Sequence, residues 1–200
     1  MVTPLRLYVA GTHSTGKTTL AKRVEMELRA TGITVARTGG FAKRAAELGF
    51  PKMTRHTVQS TAWIINATSN ATLGAELTAD VVIVDRTPYD ALAYYLAAVQ
   101  HRDERPDPEA LSRLTALAQL ACPRSPVFLA TLLDPALPLP ERPGKDPDWT
   151  DAEFREAVDA QLHRALGAYA VPHVPVPSDG HAAAVEVAVE TITAAWAAAA

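Results

Sequence analysis

The chain alternates between short, continuously apolar runs and longer stretches in which apolar residues recur at helical spacing. Four of the runs, at residues 5–10, 33–36, 81–84 and 127–132, are short and consist mainly of aliphatic residues. This pattern is typical of strands that are buried on both faces of a sheet. A weaker fifth run, at 171–176, contains Pro172 and Pro175. Because proline cannot donate a ladder hydrogen bond, we expect this strand at a sheet edge.

The stretches between these runs predict seven helices, at residues 19–28, 40–49, 55–79, 88–101, 107–121, 150–170 and 181–198. Strands that alternate with helices predict an α/β fold, here a doubly wound, five-stranded parallel sheet flanked by helices. The last helix places Val185, Val189, Ile192 and Trp196 on one face. We therefore expect it to pack on the core rather than to span a membrane.

Length and charge narrow the class of protein. The 200 residues predict a single domain, 1–200, that is large enough to bury its own core. A formal net charge of −3 argues against a broad basic surface, so no nucleic-acid partner is expected. The single cysteine, Cys122, cannot form an internal disulfide. The chain leads directly into a strand without a signal-peptide pattern, which predicts a cytoplasmic protein with no membrane partner.

Residues 11–18 read Gly-Thr-His-Ser-Thr-Gly-Lys-Thr and match the phosphate-binding loop pattern G-x-x-x-x-G-K-[ST]. The loop lies between a predicted strand and a predicted helix, which is the context that this motif requires. Its backbone N–H groups would bind the phosphates of a nucleotide, Lys17 would reach the β- and γ-phosphates, and Thr18 would bind Mg²⁺. The predicted nucleotide-binding residues are Gly11, Thr12, His13, Ser14, Thr15, Gly16, Lys17, Thr18 and Thr19.

A second motif, Asp85-Arg86-Thr87, follows the apolar run 81–84. An acid at the carboxyl end of a central strand, beside a phosphate loop, could bind the metal or accept a proton from the acceptor. The guanidinium of Arg86 suits phosphoryl oxygens. The alternative is that Asp85 caps the next helix and pairs with Arg86. Since a phosphate loop is present, we favour catalytic roles for both residues and a metal-binding role for Asp85.

The irregular, proline-rich segment 134–149 follows the fourth predicted strand. Long segments without regular structure in compact domains are often functional lids. Kinases that act on small molecules close a basic lid over the triphosphate, so Arg142 and Lys145 are candidate catalytic residues. An ordinary exposed loop explains the same pattern equally well.

Together these motifs resemble the nucleoside and nucleotide kinases among the P-loop proteins. More narrowly, the chain resembles the nicotinamide riboside kinase domains of the NadR type, with the deoxynucleoside kinases as more distant relatives. The resemblance implies ATP and Mg²⁺ as cofactors, and these families often have a glutamate base after the second strand. Here residues 36–44 contain no acid. Asp85 is therefore the leading candidate for the base, followed by Asp90 and Glu47, although altered or lost acceptor chemistry would also explain the difference.

The acceptor pocket is expected beside the third predicted helix. His56, Gln59, Trp63 and Asn66 recur at helical spacing and would share one face. Such a mixture of ring, amide and imidazole groups is typical of ligand pockets. The alternative places Trp63 in the core and the polar residues in solvent. The predicted substrate-binding residues are Phe41, Arg44, His56, Gln59, Trp63, Asn66 and Tyr89, with Tyr94 flanking the same cleft.

The sequence therefore predicts a kinase that transfers the γ-phosphoryl group of ATP to a hydroxyl of a small molecule, with a nucleoside or nucleoside-like compound favoured. The chain has no N/T-K-x-D guanine-reading motif after a strand, which favours an adenine nucleotide. Two alternatives remain open: an ATP-binding regulatory switch that acts on a protein partner, and a nucleoside monophosphate kinase. A homodimer is compatible with this class, but no interface can be identified from the sequence.

Overall fold

The computed structural model describes residues 3–139 and 147–199, which form one α/β unit. Two single-turn 3₁₀ helices, Met53–Arg55 and Pro147–Thr150, accompany the main elements. The strands are β1 Leu5–Ala10, β2 Val35–Gly39, β3 Val81–Asp85, β4 Val127–Thr131 and β5 Val174–Val176. The helices are α1 Lys17–Ala30, α2 Phe41–Glu47, α3 Val58–Ala75, α4 Pro88–His101, α5 Pro108–Ala121, α6 Ala152–Ala168 and α7 His181–Ala199.

The five strands form one parallel sheet in the order β2-β3-β1-β4-β5. The central strand β1 pairs with β3 and with β4, with Leu7 opposite both Ile83 and Val127. The predicted five-stranded parallel sheet is therefore confirmed. Strand β5 lies at one edge, as its prolines predicted, with Pro175 opposite Ala130.

Alternate residues of the central strands β1, β3 and β4 enter two separate cores, which is why these strands have no polar face. On one face, residues such as Leu7 and Ile83 pack against α1 and α7. On the other face, residues such as Tyr8 and Val84 pack in the core that contains residues of α3, α4 and α6. Helices on both faces make the fold doubly wound, as predicted. The carboxyl ends of all five strands meet at one edge of the sheet, where open α/β folds bind ligands.

Strand β2 lies later in the chain than its apolar residues predicted. It begins at Val35, because the Thr34 N–H and hydroxyl both donate to the Asp80 carboxylate instead of continuing the ladder. It then continues to Gly39, which lies opposite Asp85. Pairing with β3 thus outweighs the weak strand signal of residues 37–39, and this brings the end of β2 beside the motif at Asp85.

Polar caps set several helix boundaries more sharply than hydrophobic periodicity did. Helix α3 was predicted at 55–79 but begins at Val58, because the Thr57 hydroxyl accepts a hydrogen bond from the Ser60 N–H. Asp107 and Asp151 cap α5 and α6 in the same way. These caps account for the differences of one to three residues at the amino ends of these helices.

Helix α7 is long and apolar enough, by length and composition, to cross a membrane. In this fold Ala184, Val185, Ala188 and Ile192 are buried in the core that also contains residues of α1 and the sheet. The helix therefore packs on the sheet, as the spacing of its aliphatic residues predicted.

The central position of β3 leads to a stability prediction. Ile83 is fully buried beneath α1 and α7, so we expect Ile83→Ala to lower the free energy of unfolding by about 2–5 kcal/mol. Leu77→Ala is the control, because Leu77 is 85% exposed and should change stability by less than about 0.5 kcal/mol. Urea denaturation measures both, and equal effects of the two changes would contradict this account of the core.

Candidate active site

The phosphate loop connects β1 to α1 and lies tightly on the end of β4. Gly11 has a φ of +147° and Gly16 a φ of +82°. A Cβ at Gly11 would lie 1.8 Å from the Thr131 hydroxyl oxygen, so a side chain there would displace β4 or the loop. Thr131 in turn lies 2.6 Å from the Thr15 hydroxyl and donates to the Ala10 carbonyl at 3.1 Å. The sequence analysis missed Thr131, although its place at the end of a strand was a usable signal.

Asp90 holds the loop from the opposite side. One of its carboxylate oxygens accepts the Gly11 N–H at 3.0 Å, and the other accepts the N–H and hydroxyl of Thr87 at 2.7 and 2.8 Å. The Thr87 hydroxyl also accepts the Asp90 N–H, which completes a capping box at the start of α4. Since both oxygens of Asp90 are engaged, its expected role as an alternative general base is corrected to a structural one.

Lys17 is buried beneath the loop, with only 4% of its surface exposed. Its ammonium group donates to the Thr12 carbonyl and lies 3.5 Å from the Thr15 hydroxyl. Burial, with the charge of Arg86 as the next cause, lowers the pKa of Lys17 to about 7. An anionic phosphate beside this amine would restore its positive charge, so the loop is suited to an anion.

His13 contributes structure rather than charge. Its Nε2 donates to the Trp149 carbonyl at 3.1 Å, and its Nδ1 accepts from the Tyr94 hydroxyl at 2.9 Å. Burial lowers the pKa of His13 to about 3, which keeps the ring neutral. The Trp149 ring lies 4.5 Å from the His13 ring, between centroids. His13 therefore links the loop to α4 and to the end of the predicted lid segment.

Arg155 of α6 also contacts the loop, and the sequence analysis did not select it. Its guanidinium donates to the His13 carbonyl at 3.2 Å and to the Ser14 carbonyl at 3.5 Å, and the residue is 6% exposed. Ser14 has a φ of +59°, which turns successive backbone groups of the loop inward. In sequence, Arg155 looks like any charged position on an amphipathic helix, so its role could not have been found there.

Asp85 and Arg86 lie where β3 ends. The Asp85 carboxylate is buried, with Oδ2 3.6 Å from the Arg37 guanidinium, whereas no partner for Oδ1 is found among the described residues. Arg37 also donates to Glu25 at 2.8 Å, so it is held from both sides. Arg86 has a φ of +79°, and its guanidinium carbon lies 5.7 Å from the centroid of the Tyr94 ring. A left-handed, non-glycine residue is costly and is often found at functional sites.

A cleft opens beside these two residues. Helices α2, α3 and α4 and the turn Met53–Arg55 supply its walls, and its floor is the end of β3. The predicted residues Phe41, His56 and Tyr94 line it. The sequence analysis did not select the other lining residues, which are Ala42, Ala45, Ala46, Pro51, Lys52, Met53, Ile64, Thr68, Thr87 and Ala91.

Three residues of the predicted acceptor face on α3 lie elsewhere. Gln59 and Asn66 are exposed, and the Asn66 amide donates back to the Ala62 carbonyl. Trp63 packs on Phe50, with 5.7 Å between ring centroids. Helical spacing correctly placed these residues on a shared face but could not show which face meets the cleft. Ile64 and Thr68, one turn apart on the adjacent face, line it instead.

Two other predicted acceptor contacts are also corrected. Arg44 is exposed and pairs with Glu47 at 3.3 Å, which places both residues on the outer side of α2 and excludes Glu47 as the base. Tyr89 is 2% exposed and lies against Tyr169 and Phe128, with ring centroids 6.2 and 6.4 Å away. It lines a different cavity, beneath the start of α4.

A second space, of about 670 Å³, lies over the phosphate loop. Ser14, Gly16, Lys17, Thr18, Thr19, Arg86 and Trp149 line it. Arg86 borders this space and the apolar cleft, so the two meet at this residue. The candidate lid residues Arg142 and Lys145 lie outside the described residues.

This arrangement defines a nucleotide-binding domain of the P-loop class: a parallel sheet with the phosphate loop after β1 and an acid at the end of the adjacent strand. The model of the AAA domain family matches residues 6–184, and the chain belongs to that family. No curated protein matches the chain.

Solved structures of NadR protein share the fold. One, in complex with NAD and AMP-PNP, has a TM-score of 0.68 and 17% identity, over 95% of this chain and 50% of that chain. Another, in complex with NR, has a TM-score of 0.64 and 16% identity, over 96% and 50%. The chain thus spans half the length of these NadR chains. The expected resemblance to the NadR group is confirmed at the level of the fold.

The hydrogen bonds that Asp90 accepts from Gly11 and Thr87 can be tested directly. Asp90→Ala leaves the Gly11 and Thr87 N–H groups without their acceptor, so we expect the free energy of unfolding to fall by about 2–4 kcal/mol. Asp90→Asn, which keeps one acceptor oxygen, should lower the free energy of unfolding by a smaller amount. Urea denaturation provides the measurement, and a loss below about 1 kcal/mol for Asp90→Ala would show that the loop does not depend on this carboxylate.

The low pKa of Lys17 predicts proton uptake when ATP binds. At pH 8 the amine of the free protein is mostly neutral, and the bound phosphates raise its pKa, so close to one proton should be taken up. Affinity should consequently fall as the pH rises above about 7. Calorimetry in buffers of different ionisation enthalpy counts the protons. Lys17→Met should abolish the uptake, and uptake that persists in this variant would assign it to another group.

Proposed function

We propose that this domain is an ATP-dependent phosphotransferase whose acceptor is a hydroxyl group of a nucleoside or nucleoside-like small molecule. One observation carries the proposal: Arg86 borders both the space over the phosphate loop and the enclosed cleft beside it. A guanidinium at that junction would contact the phosphoryl group as it moves from one space to the other.

Two observations support ATP as the phosphoryl donor. The sequence lacks a guanine-reading motif, and one of the NadR structures with this fold contains AMP-PNP. Beside the loop a further space of about 470 Å³ could hold the adenine ring. It is lined by Ser14, Thr15, Gly16, Leu132, Asp134, Leu137, Arg155, Ser178 and His181.

Asp85 is the best-placed general base. It borders the acceptor cleft, and its Oδ1 is buried without a partner among the described residues. In the proposed step, the acceptor oxygen forms a bond to the γ-phosphorus while the bond to the β–γ bridging oxygen breaks. ADP leaves with that electron pair, and the hydroxyl proton passes to Asp85. Arg37 holds Oδ2 of the same carboxylate and so orients Oδ1.

The residues present fit Mg²⁺, which prefers hard oxygen ligands. The Thr18 hydroxyl borders the phosphate space, and Asp85, as the alternative to its role as the base, would offer the ion its carboxylate oxygen at the end of the adjacent strand. When bound, the ion would neutralise charge on the phosphate oxygens. Arg142 and Lys145 remain proposed lid residues, because segment 134–149 leads from β4 towards Trp149, which borders the phosphate space.

The alternative is an ATP-binding switch that acts on a protein partner. The absence of an acid after β2 and membership of the AAA domain family favour it. The enclosed cleft favours the kinase, since a switch would not require a pocket beside the γ-phosphate. A monophosphate acceptor has less support, because Lys43 and Arg44 are exposed and pair with Glu47, and Arg37 pairs with Glu25.

Incubation with Mg-ATP and a panel of nucleosides, nucleoside monophosphates and hydroxylated natural products tests the proposal. We expect acceptor-dependent ADP release together with a phosphorylated product identified by mass. Asp85→Asn should lower kcat by about 10²–10⁴-fold, because the proton acceptor is lost. Glu47→Gln is the matched control, since Glu47 is exposed and lies away from the cleft.

Three outcomes separate the possibilities. ADP release that does not depend on any acceptor, but is lost in Lys17→Ala, would favour the ATP-binding switch. A phosphorylated product with unchanged kcat in Asp85→Asn would keep the kinase and remove Asp85 as its base. A product formed only from nucleoside monophosphates would establish the third possibility.

A further inference from the structure

The walls of the acceptor cleft are unusually apolar for a pocket that is proposed to hold a nucleoside. Its apolar lining residues include Phe41, Ala45, Met53, Ile64 and Ala91. Such walls favour an apolar ring system by removing it from water, so the hydroxyl-bearing part of a ligand would lie at the end of the cleft that Asp85 and Arg86 form. The class of acceptor inferred from these walls rests on the proposed phosphotransfer.

The hydroxyl groups of the cleft already have acceptors within the protein. Thr68 donates to the Ile64 carbonyl at 2.8 Å, and Thr87 donates to the Asp90 carboxylate at 2.8 Å. A ligand that relied on these hydroxyls as donors would have to break existing hydrogen bonds. Each polar ligand group left without a partner lowers affinity, because it loses its contacts with water.

Away from the end that Asp85 forms, the described walls of the cleft offer little to balance a cationic ring. Arg86 and Lys52 border it, and both are basic. The acids that border it among the described residues are Asp85 and Asp90. Asp90 is engaged with Gly11 and Thr87, and Asp85 lies at the reacting end beside Arg37. Along the remaining walls that the structure describes, there is no carboxylate to balance a buried positive charge.

One polar atom remains to orient a ligand. His56 lines the cleft, is 4% exposed, and its Nε2 has no hydrogen-bond partner among the described residues. Arg102 fixes the backbone of this turn by donating to the carbonyls of Thr54 and His56 at 2.7 and 3.4 Å. Burial, with the Arg102 charge as the second cause, lowers the pKa of His56 to about 4, so the ring is neutral at pH 7. A neutral imidazole nitrogen can form one hydrogen bond with a neutral group.

We propose that the cleft binds an uncharged, largely apolar alcohol. Its hydroxyl lies at Asp85 and Arg86, its ring system lies against Phe41, Met53 and Ile64, and a single hydrogen-bonding group meets Nε2 of His56. Among nucleoside-like compounds, this selects neutral ones of low polarity and discriminates against ribosides with a cationic ring.

A matched pair of probes isolates the charge: nicotinamide riboside, which is cationic, and its reduced 1,4-dihydro form, which is neutral and carries the same ribose. A phenyl C-riboside extends the series to an apolar neutral ring. Calorimetry in the presence of a non-hydrolysable ATP analogue measures the dissociation constants without requiring turnover. We expect both neutral ribosides to bind at least about tenfold more tightly than the cation.

Variants of the cleft test the same idea from the protein side. Ala46 lines the cleft on α2, so Ala46→Glu places a carboxylate on the wall and should shift the cation-to-neutral affinity ratio by about tenfold or more. Ala46→Gln has nearly the same size without the charge and should leave the ratio unchanged. His56→Phe keeps a ring of similar size and should weaken the dihydronicotinamide probe about tenfold, while the phenyl riboside is unaffected.

The outcomes separate this proposal from the proposed function. The proposal is supported if the neutral ribosides bind more tightly than the cation, and if Ala46→Glu shifts the cation-to-neutral affinity ratio while Ala46→Gln does not. Equal or tighter binding of the cation overturns it, as does failure of both neutral ribosides to bind. If the neutral ribosides bind but release no ADP with Mg-ATP, the assignment of the cleft stands and the phosphotransfer fails.

Discussion

The site depends on one buried carboxylate, that of Asp90. Its two oxygens join the first residue of the phosphate loop to the amino end of α4, which is also a wall of the acceptor cleft. The hydrogen bonds between His13 and Tyr94 add a second link between the loop and the cleft. Phosphoryl transfer depends mainly on positioning and charge stabilisation, so the proposed reaction would require the rigid relation that these links provide.

The difference from the resembled kinases at the end of β2 has a structural counterpart. Where an acid is often found, this chain has Arg37, which pairs with both Glu25 and Asp85, and Gly39, where a Cβ would lie 2.8 Å from the Asp85 carbonyl oxygen. The close approach of β2 thus leaves no room for a side chain beside Asp85. This organisation leaves Asp85 as the acid that borders the cleft with an oxygen that has no partner among the described residues.

Membership of the AAA domain family and the fold shared with NadR protein describe the nucleotide side of the molecule. They do not determine what occupies the cleft, because function resides in the particular side chains that a fold supports. Here those side chains are apolar along the walls, basic at two positions and neutral at His56. The selectivity of the domain would therefore be set by α2, α3 and the turn between them.

The sequence by itself determined the sheet, the loop and the motif at Asp85, because strand periodicity and the glycine spacing of residues 11–18 are local signals. Tertiary structure alone decided which face of α3 meets the cleft, since the sequence does not show what packs against Ile64 or against Gln59. It also decided the roles of Asp90 and Arg155, whose partners lie 79 and 142 residues away in the chain. Such contacts depend on how distant elements pack, and no local pattern of residues encodes them.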